Sequence, residues 1–195
     1  MTGSWDVNVT VGKMPQKVAT ACVEINETII GASYEPIAYL GSQVVNGENH
    51  AVLAKQTVLT GKDTENIVLL IFNIKPNEDK ATLVAIDRVL ESGGEFGGIK
   101  INATTDIPSE AQEALDNVLE GFVGCDINAF AFLGTQVTKG TDYIFAAEVT
   151  PVVKDPVNTV AIVAANPMNK NITINDILTS KDSIGKLGYA FTWLR

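Results

Sequence analysis

One histidine, two cysteines and two tryptophans are all that this 195-residue chain holds of the residues most often found in reactive centres and interface anchors. With His50 alone, a Ser-His-Asp or Cys-His pair has a single place to form, so the sequence predicts no enzyme. Cys22 and Cys125 are too few for a disulfide scaffold and too far apart for a metal-site pair, and they read as buried small hydrophobes; no metal or cofactor is expected. Basic residues number 14 against 23 acidic ones, without a Lys/Arg cluster, which argues against nucleic acid as a partner. No apolar run approaches the ~20 residues of a membrane helix, so a soluble protein without membrane insertion is predicted. The opening MTGSWDVNVTVGK lacks a basic start followed by an apolar core. An intracellular protein, or a mature secreted form, is therefore expected. Sequons at Asn8, Asn26, Asn102 and Asn171 matter only in a host that glycosylates.

What the chain does have is a repeat. LGSQVVNGENH (40–50) and LGTQVTKGTDY (133–143) share one pattern at an offset of 93 residues, and the same offset aligns Pro15 with Pro108, Gly31 with Gly124 and Asn73 with Asn166. Identities this numerous in one ungapped frame mark a duplication. Two units follow, 1–93 and 94–195, joined at the Gly-rich ESGGEFGG (91–98). GGEFGG opens a strand, not a helix, and is therefore no dinucleotide fingerprint.

In each unit the periodicity predicts strand, helix, then four strands. The helix stripes are Val18, Cys22, Ile25 and Ile29 in the first copy and Ala111, Leu115, Val118 and Phe122 in the second. Pro15 and Pro108 suit a first helical turn, Asp106 an N-cap, and Gly31 and Gly124 the residue that ends a helix. The four strand runs are PIAYLGSQVV, HAVLAKQTVL, NIVLLIFNI and ATLVAIDRVL, then NAFAFLGTQVT, YIFAAEVTPVV, NTVAIVAAN and LGYAFTWLR. A sheet with one face to cover and a helix with one stripe to bury predict an α+β unit, four to five antiparallel strands wrapped on one helix. Trp5 and Trp193 read as core residues.

This strand-helix-strands order, with Gln-x-Val-x-Gly at the first hairpin after the helix, resembles the cystatins across both units. The resemblance implies a tandem cystatin-like fold that reversibly inhibits papain-like cysteine proteases by inserting three segments into the catalytic cleft. Carried over, Gly3 is the N-terminal glycine, Gln43, Val44, Val45, Asn46 and Gly47 form the first loop, and Pro76 belongs to the second, where Asn77 replaces the family's Trp. In the second unit Gln136, Val137, Thr138, Lys139 and Gly140 keep the turn but change the face. Gln43 and Gly47 also read as hairpin architecture alone, Gly47 for a positive φ and Gln43 for a bond to its own backbone. The alternative function is accordingly a non-inhibitory binding or assembly module whose partners are other subunits.

Overall fold

The computed structural model describes residues 3–59, 64–93 and 97–178, and the chain divides into two compact units between Glu91 and Ser92. The first contains β1 (Trp5–Val11), α1 (Gln16–Thr28), β2 (Ala32–Val45), β3 (Gly47–Val58), β4 (Thr64–Ile74) and β5 (Thr82–Glu91). Its strands form one antiparallel sheet in sequence order. The second contains β6 (Ile99–Thr104), α2 (Ser109–Leu119), β7 (Cys125–Thr138), β8 (Gly140–Pro151), β9 (Thr159–Asn166) and β10 (Asn171–Asp176), again one antiparallel sheet in sequence order. Among the described residues no helix is long and apolar enough to cross a membrane.

The expected α+β class, a cystatin-like sheet wrapped on one helix, is overturned. The described residues are mostly β, with 57% strand and 14% helix. The cause is visible in the core. One face of the first sheet packs Tyr39, Val52, Leu70 and Phe72 against Val18, Ala21, Cys22 and Ile25 of the short helix. The other face buries Leu40, Leu53, Leu69 and Ile71 just as fully, with Leu53 directly opposite Leu69 in the ladder. In the second unit Phe132, Phe145 and Val163 meet Ala111, Leu115 and Val118 of α2, while Leu133, Ile144 and Ile162 are buried on the opposite face. Strands buried on both faces read as continuous apolar runs, as IVLLIF and TVAIVAA do, and each fully buried Leu or Ile contributes about 1.5–3 kcal/mol. Most of the core therefore belongs to the sheets, and the premise of a single face to cover was the error.

Local corrections have physical causes. Pro15 and Pro108 stand at the N-caps, just before the first helical turn; their carbonyls accept the first helical N–H groups, as in Ala19 N–H to Pro15 O at 3.0 Å and Gln112 N–H to Pro108 O at 3.0 Å. Asp106 is not the N-cap: its N–H donates to Thr104 Oγ1 at 3.1 Å in the turn before the helix. Ile29 is an extended C-cap residue, and Phe122 lies beyond the end of α2. Gly31 and Gly124 do not end the helices; they adopt positive φ where the chain enters β2 and β7, and the residue after the α2 cap is Gly121, at φ +78°. The last strand of the second unit was expected at LGYAFTWLR, which with Trp193 lies outside the described residues; the structure has a strand earlier, at NITIND. Its alternation of Ile172 and Ile174 with polar residues is the period of a half-exposed strand.

The duplication also has two offsets. From Pro15 onward the frame is 93 residues, but Trp5 pairs with Gln43 as Ile99 pairs with Gln136, and Thr10 with Tyr39 as Thr104 with Phe132, so the opening strands correspond at 94. The segment from Thr10 to Pro15 is one residue longer than that from Thr104 to Pro108, in a turn that tolerates the change.

Candidate functional site at the hairpin ends

β2 and β3 close in a tight hairpin in which Val45 pairs with Gly47 and Asn46 forms the tip. Gly47 has φ +95°, and a Cβ there would lie 2.5 Å from the Ile74 carbonyl oxygen, so both the turn and the approach of β4 demand glycine. Gln43 does not bond its own hairpin backbone. Its Nε2 donates to the Gly3 carbonyl at 2.9 Å, and the Gly3 N–H donates to the Val44 carbonyl at 2.9 Å. Behind it, Asn73 Nδ2 donates to Asn49 Oδ1 at 2.8 Å and Asn49 Nδ2 to Gln43 Oε1 at 3.3 Å. The hairpin is thus tied to the segment before β1 and to β4. Val44 is left outward, with 69% of its surface exposed.

The turn after β4 runs beside it. Lys75 O accepts from the Glu78 N–H at 3.2 Å, with Pro76 second and Asn77 third in the turn. Asn77 has φ +68°, a conformation Asn tolerates and a bulky aromatic does not, which accounts for Asn where the resemblance would have Trp. Gly3, Gln43–Gly47 and the start of the Pro76 turn are therefore neighbours at one end of the unit.

The second unit repeats the frame with different chemistry. Gln136 Nε2 donates to the Gly97 carbonyl at 2.7 Å. Asn166 Nδ2 donates to Asp142 Oδ1 at 2.6 Å and to Thr138 Oγ1 at 3.3 Å, and the Met168 N–H donates to Asn166 Oδ1 at 3.1 Å. Gly140, at φ +105°, packs against Met168, Lys139 forms the tip, and Val137 is 68% exposed. Gln136, Asp142 and Asn166 stand 93 residues after Gln43, Asn49 and Asn73, and the Asn166–Asp142 bond repeats the Asn73–Asn49 one, while the Asp142 carboxylate has no N–H to offer the glutamine as Asn49 does. The signal of this bond was present in the sequence as the Asn73/Asn166 identity, without a hint that the two asparagines brace the hairpins.

The glycine of each Leu-Gly pair has a role that no local pattern in the sequence shows. Gly41 and Gly134 sit at bulges, at φ +148° and +152°, where the opening strand crosses so closely that a Cβ would lie 2.2 Å from the Asp6 carbonyl oxygen or 2.1 Å from that of Lys100. Leu40 and Leu133 are buried core residues. Beneath the first hairpin, His50 Nδ1 lies 2.9 Å from the Tyr39 hydroxyl. Burial pushes the His50 imidazole below the usual 6.5, opposed by the Glu48 carboxylate.

Compared with protein-family models and with curated proteins, the chain matches none.

Proposed function

We propose that the chain is a non-catalytic protein-binding module whose first unit docks into a groove of its partner, and that this groove is the cleft of a papain-like cysteine protease. One observation carries the reading: Gly3, the Gln43–Gly47 hairpin and the Pro76 turn are bonded or packed side by side, with Val44 projecting from them. A hairpin already held by Gln43, Asn49 and Asn73 loses little conformational freedom on binding, which is what a preformed groove rewards. The test is titration of papain with the purified chain, using a fluorogenic substrate. Inhibition at micromolar concentrations that Val44→Asp weakens at least tenfold is expected; no inhibition at that concentration defeats the protease reading. Val44 is the informative position because it is exposed, whereas a side chain at Gly47 would strike β4.

A second reading, assembly with other subunits, is supported by the second unit, which keeps the frame while its tip carries Thr138 and Lys139. The frame is retained there without the first unit's loop face. Among the described residues β5 and β10 are outermost strands of their sheets and offer edges for pairing. Light scattering after size-exclusion distinguishes the two: a strict monomer at all concentrations removes self-assembly.

A further inference from the structure

His50, the single histidine, lies under the first hairpin. It pairs across the sheet with Ser42 of β2 and Phe72 of β4, and it is only 4% exposed. Nδ1 is bonded to the Tyr39 hydroxyl, while Nε2 is buried without a hydrogen bond, 3.6 Å from the Glu48 carboxylate. Glu48 follows Gly47 directly and pairs with the exposed Val44. The other groups around the pair are few. Asp6 of β1 acts on the Tyr39 hydroxyl, which also bonds Ser42. β4 contributes the uncharged Phe72, and the titratable group on the buried face of α1 is the Cys22 thiol, which burial pushes up to about 11 and keeps neutral at any ordinary pH.

The duplication supplies an internal control. At the positions matching Tyr39 and His50 the second unit has Phe132 and Tyr143, whose hydroxyl donates to Glu110 of α2 at 2.5 Å. The same frame folds there with no imidazole, so the frame does not require one. A buried polar group without a full set of partners, present in one copy and replaced in the other, calls for a role of its own.

We propose that the Tyr39 O–H donates to the neutral ring and that His50 is thereby an acid-sensitive latch for the first hairpin: protonation turns Nδ1 from acceptor to donor, reverses the bond to Tyr39, and draws Glu48 inward, withdrawing the edge from its partner. With the Tyr39 O–H donating to Nδ1, the neutral ring carries its proton on Nε2. A second proton has no acceptor-bearing place to go except by reversing that bond, and the nearest counter-charge is Glu48, whose side chain is about half-exposed. Burial disfavours the charged ring, so the change falls below the usual imidazole range. The second hairpin has no imidazole and does not make this change. The proposal rests on the protein-binding reading for its consequence, but its structural step is independent of any partner.

The experiment is an NMR titration of the full chain from pH 8 to 5, following the one imidazole with the amides of Val44, Gly47 and Glu48 and, as reference, Val137 and Gly140. First-hairpin amides that shift with the same midpoint as the imidazole, while the second hairpin stays flat, are expected. The double variant Tyr39→Phe/His50→Tyr, which copies the second unit, should abolish that shared transition; His50→Gln serves if the double variant does not fold. Flat first-hairpin amides during imidazole titration overturn the proposal, as does an imidazole that stays neutral until the chain unfolds. With active-site-blocked papain as the probe, binding should weaken between pH 7.5 and 5.5 by less than about tenfold, the limit set by an imidazole that titrates below 6.5. Absence of papain binding at both pH values defeats the protease reading alone, because the amide titration still decides the latch.

Discussion

Replacing Gly41 by alanine tests whether the repeated Leu-Gly pair is a packing constraint. A Cβ at Gly41 would sit 2.2 Å from the Asp6 carbonyl oxygen and 3.1 Å from the Val7 Cα, contacts that involve backbone and cannot be relieved by turning a side chain. Residue 41 also holds φ +148°, which an L side chain rarely adopts. Local backbone strain costs about 1–3 kcal/mol and overpacking about 1–3 kcal/mol, so Gly41→Ala should lose roughly 2–6 kcal/mol. Against a stability of about 5–15 kcal/mol for a typical domain, that is a severe loss. Gly12→Ala is the matched control, because Gly12 has φ +72° with nothing within 4 Å of a new Cβ. It should show only the conformational term, about 1–2 kcal/mol. Urea denaturation followed by circular dichroism reads both. Equal midpoints for the two variants, or a Gly41→Ala loss under about 0.5 kcal/mol, would refute the claim that β1 crosses within contact of residue 41.

Three further outcomes are expected. Because burial holds the folded His50 below 6.5, the unfolded chain takes up the proton first; its stabilising contribution is complete above 6.5 and is lost as pH falls through that value toward the folded one, so the difference in urea midpoint between wild type and His50→Gln should narrow from pH 7.5 to pH 5. Asp87 has a buried Oδ2 without a partner, and burial pushes its carboxyl above the usual range; Asp87→Asn should raise the denaturation midpoint at pH 7, by less than about 1 kcal/mol after allowance for solvent screening, and a lower midpoint would contradict this. Cys22 is buried with its thiol pushed up to about 11, whereas Cys125 is half-buried, so Ellman's reagent at pH 8 should modify Cys125 first and reach Cys22 only as the first unit opens. Equal rates in the folded protein would contradict the packing of α1.

The hairpins were legible because their requirements are local. A positive φ at Gly47 and Gly140 selects glycine whatever the rest of the chain does. The braces were not: Gln43 reaches the carbonyl of Gly3, 40 positions away, and Asn73 reaches Asn49, 24 positions away, contacts that no local period encodes. The strand at NITIND has only two apolar residues in six and so carries little apolar signal, and the helix ends differ from expectation because the prolines cap through their carbonyls instead of entering the first turn.

By itself the sequence determined that the chain is a duplication and where its turns fall, since identity in register and turn chemistry are properties of neighbouring residues. The tertiary structure decided the balance of the fold and the meaning of the repeated motif. Alternation along a strand cannot say whether one face or two will be covered, and only the burial of Leu40, Leu53 and Leu69 opposite the helix face shows that both are. The same packing assigns Gly41 to a strand crossing, Gln43 to the clamp on Gly3, and His50 to a buried place in one copy that the other fills with Tyr143.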